Sequence, residues 1–257
     1  MSDPLFVLVA VVAVFIVALA KSGLLGSLGM IGVPLLSLVM PAREAAGILL
    51  PVLIIMDVVG LLAYRGQFDR KILKLMLPGA LLGIAIGWAL FSLVSDDGVL
   101  LLVGLLTLAF VFDAVMGQRI RFKPTLIALG APGPFWGRFW GAVAGFTSFI
   151  SHTGGPPFQI YVLPKKLAPA IYAGTSVWFF AIVNMLKLVA YFFLAQLSPA
   201  SLEISAALAP VAIIGMLAGV WLVRRISAKL FYNLAYWLVF LLAIKLIYDG
   251  AKGLFGL

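Results

Sequence analysis

The residues best suited to chemistry are the few polar and ionisable side chains that stand within apolar stretches. The segment "SHTGGPPFQ" (151–159) carries His152, the single histidine of the chain, among hydroxyl groups, a diglycine and a diproline. Lys21, Asp57 and Lys187 stand in or at the end of apolar runs, and Asn184 precedes Lys187 by three residues. Ammonium, amide and hydroxyl donors together favour binding of an anion, and an imidazole that titrates near neutrality can carry a proton.

The composition places these residues in a membrane protein. Of 257 residues, 64% are hydrophobic and 11% are charged, whereas a soluble domain has about 25% charged residues. The run 4–20 approaches the roughly 20 apolar residues that cross a bilayer. Because residues 1–4 hold an acid and no Lys or Arg, we expect a retained span rather than a signal peptide. The lack of cysteine excludes disulfides and thiolate chemistry.

Glycine, proline and charged residues divide the chain into apolar runs. Their positions predict an all-α integral membrane protein with about eight transmembrane helices plus broken or re-entrant hairpins. The two short elements follow Gly-rich breaks, and each is expected to form such a hairpin with the element before it. The ten predicted elements are 4–21, 28–40, 44–64, 72–94, 98–116, 134–150, 156–164, 168–195, 202–224 and 230–249.

The charges between the elements predict the orientation. Alternate loops differ in charge: one set is rich in Lys and Arg, and the other carries most of the acids. Because cytoplasmic loops carry the excess of Lys and Arg, both termini are predicted to be periplasmic. The net charge of +9 is assigned to those loops rather than to nucleic-acid binding. The predicted partners are a small anionic substrate and the lipid bilayer, with a homodimer as an option and no nucleic acid.

The two halves of the chain resemble each other. Each half contains five elements. Because five is an odd number, the second half enters the membrane from the opposite side, which predicts inverted-topology repeats. We assign 1–117 to the first repeat, 118–133 to a cytoplasmic linker and 134–257 to the second repeat, together one transport domain. The matched segments are "GVPLLSLVMP" (32–41) with "GPPFQIYVLP" (155–164), "AGILLPVLIIMDVVGLLAY" (46–64) with "AGTSVWFFAIVNMLKLVAY" (173–191), and "PGALLGIAIG" (78–87) with "PVAIIGMLAG" (210–219).

Transporters of this architecture bind substrate near the membrane midplane, where broken helices expose their ends. The breaks here are 21–34 and 151–159, and Pro156 and Pro157 suit the first turn of a helix whose N-terminus points at the substrate. We predict proton coupling through His152 or Asp57, and neither catalytic residues, a metal nor a cofactor. The predicted substrate-binding residues are Lys187, Asn184, His152, Ser151, Thr153, Gly154, Gly155, Gln159, Lys21, Ser22 and Gly32.

Structural roles for the same residues are open alternatives. Lys187 and Asp57 can form a buried structural ion pair, and Lys21 can extend to the lipid headgroups. His152 can be a hydrogen-bonded core residue. The glycine stripe at 79, 83 and 87 favours helix packing within the bundle over a dimer interface.

The segments "KSGLLGSLGMIGVPLLSLVMP" (21–41) and "SHTGGPPFQIYVLP" (151–164), with "GTSVWFFAIVNMLKLVAYF" (174–192), resemble the paired signature of the sulfite exporter TauE/SafE family. The resemblance covers nearly the whole chain. It implies a bacterial inner-membrane permease with a duplicated architecture that moves sulfite, sulfoacetate or a related organosulfonate. We expect a secondary transporter, acting as an exporter by alternating access, with substrate between the two half-sites. The alternatives are an importer of the same substrate class and a passive anion channel. The motifs of hydrolases and metalloproteases are missing, so an enzyme is not expected.

Overall fold

The computed structural model describes residues 4–24, 32–36, 38–40, 42–91, 93–116, 133–193 and 198–256. All regular secondary structure in these ranges is helical, and each predicted element corresponds to one α-helix. The predicted linker 118–133, apart from Gly133, lies outside the described residues, as does 25–31 of the first break. The helices are α1 (Pro4–Leu19, continued by a π-helical turn Ala20–Leu24), α2 (Gly32–Leu36), α3 (Ala42–Ala63), α4 (Arg70–Ala89), α5 (Asp96–Met116), α6 (Pro134–Ser151), α7 (Gly155–Val162, continued by a 3-10 turn Leu163–Lys165), α8 (Pro169–Phe193), α9 (Pro199–Arg225) and α10 (Ala228–Phe255).

The prediction of an all-α membrane protein is confirmed. Within the described residues, five helical stretches are long and apolar enough to cross a bilayer, judged by length and composition. Their outward faces carry large apolar side chains such as Leu81, Ile214 and Trp237, as expected of surfaces that face lipid. The five stretches are Pro4–Gly23, Arg70–Ala89, Pro169–Phe193, Pro199–Arg225 and Ala228–Phe255.

The chain forms two compact units, and each unit takes helices from both halves of the sequence. Unit 1 comprises Met1–Asp69 and Ala168–Phe231, and in it α9 packs against α1 and α3 while α8 packs against α3. Gly215 and Gly219 let α9 approach α1 closely, because a Cβ on either would meet atoms of α1 or of the turn that follows it. The core includes Ala13, Val14, Val17, Leu49, Val52, Met56, Ala212 and Met216.

Unit 2 comprises Arg70–Leu167 and Tyr232–Leu257. Its tightest contact joins α4 to α6, with glycines on both sides. A Cβ on Gly83 would collide with the carbonyl oxygen of Ala142, and one on Gly141 would collide with that of Met76. The predicted glycine stripe therefore serves helix packing inside unit 2, where small residues allow two backbones to approach.

The contacts within the units follow the sequence duplication. Helix α4 matches α9 in the repeat, and α6 occupies the place of α1, so the α4–α6 and α1–α9 contacts are equivalent. The glycines at the two contacts also match, because Gly83 aligns with Gly215 and Gly87 aligns with Gly219. The duplication itself, with its boundaries at 1–117, 118–133 and 134–257, stays a prediction. The membrane orientation of the two repeats stays a prediction.

Candidate anion-binding site

The first break begins at the end of α1, in unit 1. After Leu19 the chain forms a π-helical turn in which Gly23 has φ +94°, a left-handed conformation that glycine adopts at little cost. A Cβ at Gly23 would also collide with Ala173 of α8. Glycine is thus required here both by conformation and by space. Short π-helical turns are frequent at functional sites, and this turn carries Lys21 and Ser22.

A buried tyrosine at the end of α3 holds this turn in place. The hydroxyl of Tyr64 donates a hydrogen bond of 2.7 Å to the backbone carbonyl of Ser22, and both residues are buried. The Ser22 hydroxyl itself donates to the carbonyl of Leu19 at 2.7 Å. Tyr64 is not among the site residues predicted from the sequence. The available signal was its alignment with Tyr191 in the repeat.

Replacing Tyr64 with phenylalanine is expected to lower the free energy of unfolding by about 1–3 kcal/mol, because a buried carbonyl loses its donor. For a domain of this size each kcal/mol corresponds to a fall in melting temperature of roughly 2–4 °C. Thermal unfolding in detergent measures the change. Tyr248→Phe is the control, since the Tyr248 side chain is exposed and its replacement should leave the melting temperature unchanged. Equal melting temperatures for both variants would contradict a stabilising role of the Tyr64 hydrogen bond.

A buried charged cluster lies next to this turn. The Nζ of Lys21 is 2.8 Å from Oδ1 of Asp57, and the Nδ2 of Asn184 donates to Oδ2 of Asp57 at 2.8 Å. Asp57 Oδ1 makes the ion pair but no hydrogen bond of standard geometry. Lys21 is 10% exposed at its side chain, so the alternative in which it extends to the lipid headgroups is wrong.

Lys187 completes the cluster from α8. Its side chain is fully buried, and it follows Asn184 by one helical turn, so both lie on the same face of α8. The charges of Lys21 and Asp57 act on Lys187, and its ammonium lies 5.6 Å from the ring centroid of Tyr191, within the range of a cation–π interaction. The ion pair of Asp57 recorded in the structure is with Lys21, and Lys187 stands beside that pair.

Two members of the cluster occupy matched positions in the repeat. Asp57 of the first half aligns with Asn184 of the second half, and the two side chains are hydrogen-bonded to each other. The duplication therefore brings one carboxylate and one amide to a single point inside unit 1. The contact between Asp57 and Asn184 was not predicted, because the alignment shows that the two positions are equivalent but does not show that the side chains touch.

The cluster favours an anion. In their usual ionisation states Lys21 and Lys187 carry two positive charges, against one negative charge on Asp57. Buried charges are stabilised by opposite charges nearby, so an incoming anion that approaches the two ammonium groups is stabilised. The Asn184 amide donates to Asp57 Oδ2, the carboxylate oxygen that is not paired with Lys21. This hydrogen bond fixes the position of the carboxylate.

The second break lies in unit 2, between α6 and α7. Helix α6 ends at Ser151, and His152 follows with φ +55°, its N–H directed to the carbonyl of Thr147. The hydroxyls of Ser151 and Thr153 are 2.8 Å apart, and the N–H of Thr153 donates to the same Thr147 carbonyl at 3.1 Å. His152 is half-buried at the point where the backbone leaves the helix.

Helix α7 begins at Gly155 with Pro156 and Pro157 in its first turn, as the sequence predicts. The prolines have no N–H, and the N–H of Phe158 is bonded to Gly154 at 3.3 Å. The backbone donors available at this helix start are therefore those of Gly154 and Gly155. Gln159 is buried, and its Oε1 accepts no hydrogen bond from the described residues. A buried acceptor of this kind needs a hydrogen-bond donor from a ligand or from a water molecule.

The predicted site residues divide between the units. Gly32, the first residue of α2, packs against the side chains of Val17 and Leu49, and thus against apolar groups rather than polar ones. In the described part of the chain, no three His, Cys, Asp or Glu side chains are grouped to hold a metal ion. Unit 1 contains Lys21, Ser22, Gly32, Asp57, Asn184 and Lys187, and unit 2 contains Ser151, His152, Thr153, Gly154, Gly155 and Gln159.

Comparison with known proteins identifies the family. A family model described as "Sulfite exporter TauE/SafE" matches residues 10–246. The chain belongs to the sulfite exporter TauE/SafE family. Searches of curated proteins and of solved structures each found no match. As a TauE/SafE protein with several apolar helices, the chain is a multi-pass membrane protein of a family that transports sulfite and related sulfur-containing anions. The resemblance found in the two breaks is confirmed.

Proposed function

We propose that this TauE/SafE protein is a secondary transporter that exports sulfite, sulfoacetate or a related organosulfonate by alternating access. The observation that carries the proposal is the buried cluster of Lys21, Asp57, Asn184 and Lys187 beside the break in α1. We place the protein in the bacterial inner membrane with both termini periplasmic, from the distribution of Lys and Arg between its loops.

The chemistry of the cluster suits a sulfonate. A sulfonate spreads its charge over three oxygens, and each oxygen accepts a charge-assisted hydrogen bond from an ammonium group. Lys187 is the primary electrostatic partner, because its side chain is fully buried on the face of α8 that also carries Asn184. A guanidinium pair, which suits bidentate carboxylate or phosphate recognition, is not part of this cluster.

The second break, in unit 2, carries neutral donors that suit an anion. The hydroxyls of Ser151 and Thr153 and the N–H groups of Gly154 and Gly155 are the candidates. The unsatisfied atom of the buried Gln159 is its Oε1, an acceptor, which suits a donor such as water rather than an anion. His152 is the proposed carrier of the coupled proton, because its half-buried imidazole stands at the end of α6. The placement of substrate between the two breaks stays a prediction.

Efflux from proteoliposomes tests the proposal. Vesicles loaded with methanesulfonate should lose it faster when the purified protein is present, and the rate should saturate with internal concentration. A carrier should stay below about 10³ ions per second, the upper range of typical turnover numbers, whereas a channel would exceed that rate with weak saturation. Efflux equal to that of protein-free vesicles would contradict transport of sulfonates.

A further inference from the structure

We propose that a cavity at one end of unit 1 binds the phosphate headgroup of an anionic lipid. The cavity has a volume of about 450 Å³ and is lined by the end of α9, the start of α8 and the segment that follows α3. All of its lining residues belong to unit 1, and none belongs to the buried cluster of Lys21, Asp57, Asn184 and Lys187. The inference therefore concerns a second site and does not depend on which anion is transported.

The cavity lies at the level where three apolar helices end or begin. Helix α3 ends at Ala63, α9 ends at Arg225 and α8 begins at Pro169. The last turn of α9 contacts the end of α3, because Nη2 of Arg224 donates to the carbonyl of Ala63 at 2.6 Å. Both α8 and α9 are long and apolar enough to cross a bilayer. The ends of such helices lie near the lipid headgroups, so the cavity lies at headgroup depth.

The side chains near the cavity are typical of a membrane interface. Trp221 is 54% exposed, and Cζ of Arg225 lies 4.3 Å from the centroid of its ring. Arg65, just after α3, and Lys229, in the first turn of α10, are also exposed. The excess of Lys and Arg predicts that this end of unit 1 is cytoplasmic, and anionic lipids of the cytoplasmic leaflet attract such side chains.

Arg224 is the residue in the cavity that suits a phosphate. Its guanidinium has one hydrogen bond, to the neutral carbonyl of Ala63, and no carboxylate pairs with it among the residues that the structure describes. The other N–H groups of the guanidinium are therefore available to a ligand. A guanidinium matches the geometry of phosphate oxygens with two parallel hydrogen bonds.

The rest of the lining suits a lipid better than a free phosphate ion. Gln67 carries an exposed side-chain amide that can donate to a second oxygen. Pro169, Ala170 and Val223 form apolar wall next to these polar groups. A phospholipid headgroup joins a phosphate to glycerol and acyl carbons, so it can contact the polar and the apolar part at once. Basic pockets between transmembrane helices bind anionic lipid headgroups in this way.

The experiment measures lipid binding to the whole protein, purified in detergent and delipidated, by native mass spectrometry. The first bound phosphatidylglycerol should have a dissociation constant about tenfold or more below that of phosphatidylcholine, which carries the same phosphate without net charge. Arg224→Gln should weaken phosphatidylglycerol binding by about tenfold or more, because hydrogen bonds to a charged group are lost. Inorganic phosphate and methanesulfonate at millimolar concentration should not displace the bound lipid.

Arg225→Gln is the matched control. It removes the same charge from the neighbouring position of α9, but Arg225 does not line the cavity, so phosphatidylglycerol binding should be unchanged. Ala170→Leu changes no charge and places a larger side chain in the cavity. We expect it to weaken phosphatidylglycerol binding by about tenfold as well.

Four outcomes would overturn the inference: unchanged binding in Arg224→Gln, equal losses in Arg224→Gln and Arg225→Gln, equal affinity for the two lipids, or displacement of the lipid by either free anion. If Arg224→Gln does not fold because the Ala63 carbonyl loses its donor, Ala170→Leu decides, and undiminished phosphatidylglycerol binding in that variant would also overturn it. Efflux of methanesulfonate is a separate measurement, so failure of the proposed function would leave these results unaffected.

Discussion

Lys187→Ala is expected to abolish sulfonate efflux from proteoliposomes, with a loss of about 100-fold or more. Lys187 is fully buried on the same face of α8 as Asn184, and without it the cluster retains only the neutral Lys21–Asp57 pair. Truncation of a buried charged contact typically costs about 2–5 kcal/mol of binding. The measurement is initial efflux of methanesulfonate at equal protein content.

The control for this prediction is Lys245→Ala. Lys245 lies in unit 2, is 43% exposed at its side chain and forms an ion pair with Asp249 one turn further along α10. An exposed pair of this kind contributes little, so efflux should be unchanged. Gel filtration and thermal unfolding establish that both variants are folded. A folded Lys187→Ala protein with undiminished efflux would remove Lys187 from the site.

Gly83→Val is expected to destabilise unit 2 severely. A side chain at Gly83 would run into the carbonyl of Ala142 and the backbone nitrogen of Phe146, which are main-chain atoms that cannot rotate away. Overpacking typically costs about 1–3 kcal/mol, and more where the backbone itself must move. We expect a fall in melting temperature in detergent of roughly 6–12 °C, or loss of folded protein during purification.

Gly98→Ala is the matched control. A Cβ at Gly98 would meet only the Cβ of Ser95 at 3.8 Å, an ordinary contact, and alanine favours the helix over glycine by about 0.5–1 kcal/mol. Its melting temperature should therefore be equal to or slightly above that of the unsubstituted protein. A Gly83→Val protein that melts at the same temperature would contradict the close α4–α6 contact.

The helices were predictable because local features define them. The start of α7 follows from Pro156 and Pro157, and the end of α1 follows from the glycines after Lys21. The choice of packing partners was not predictable in the same way. The glycine stripe of α4 indicates a close contact, but nothing local in the sequence says that α6 provides the other surface. That choice depends on contacts between segments far apart in the chain.

The residue types of the candidate site were predictable, but the contacts between its side chains were not. Intramembrane Lys21, Asp57 and Lys187 stand out because charges are rare in apolar runs. Lys21 at the end of such a run looks the same whether it reaches lipid headgroups or turns inward. The π-helical turn at Ala20–Leu24 decides between them by directing Lys21 to Asp57. The contact between Asp57 and Asn184 similarly depends on how α3 packs against α8.

If the buried cluster binds the transported anion, the anion should be found there in a crystal of the complex. The measurement is the anomalous X-ray signal of bromine in crystals of the protein with bromomethanesulfonate, together with the refined position of the sulfonate. We predict a bromine peak inside unit 1, with sulfonate oxygens within hydrogen-bonding distance of Lys187 Nζ, and its loss in Lys187→Ala. A peak only at the protein surface, or one retained in Lys187→Ala, would contradict it.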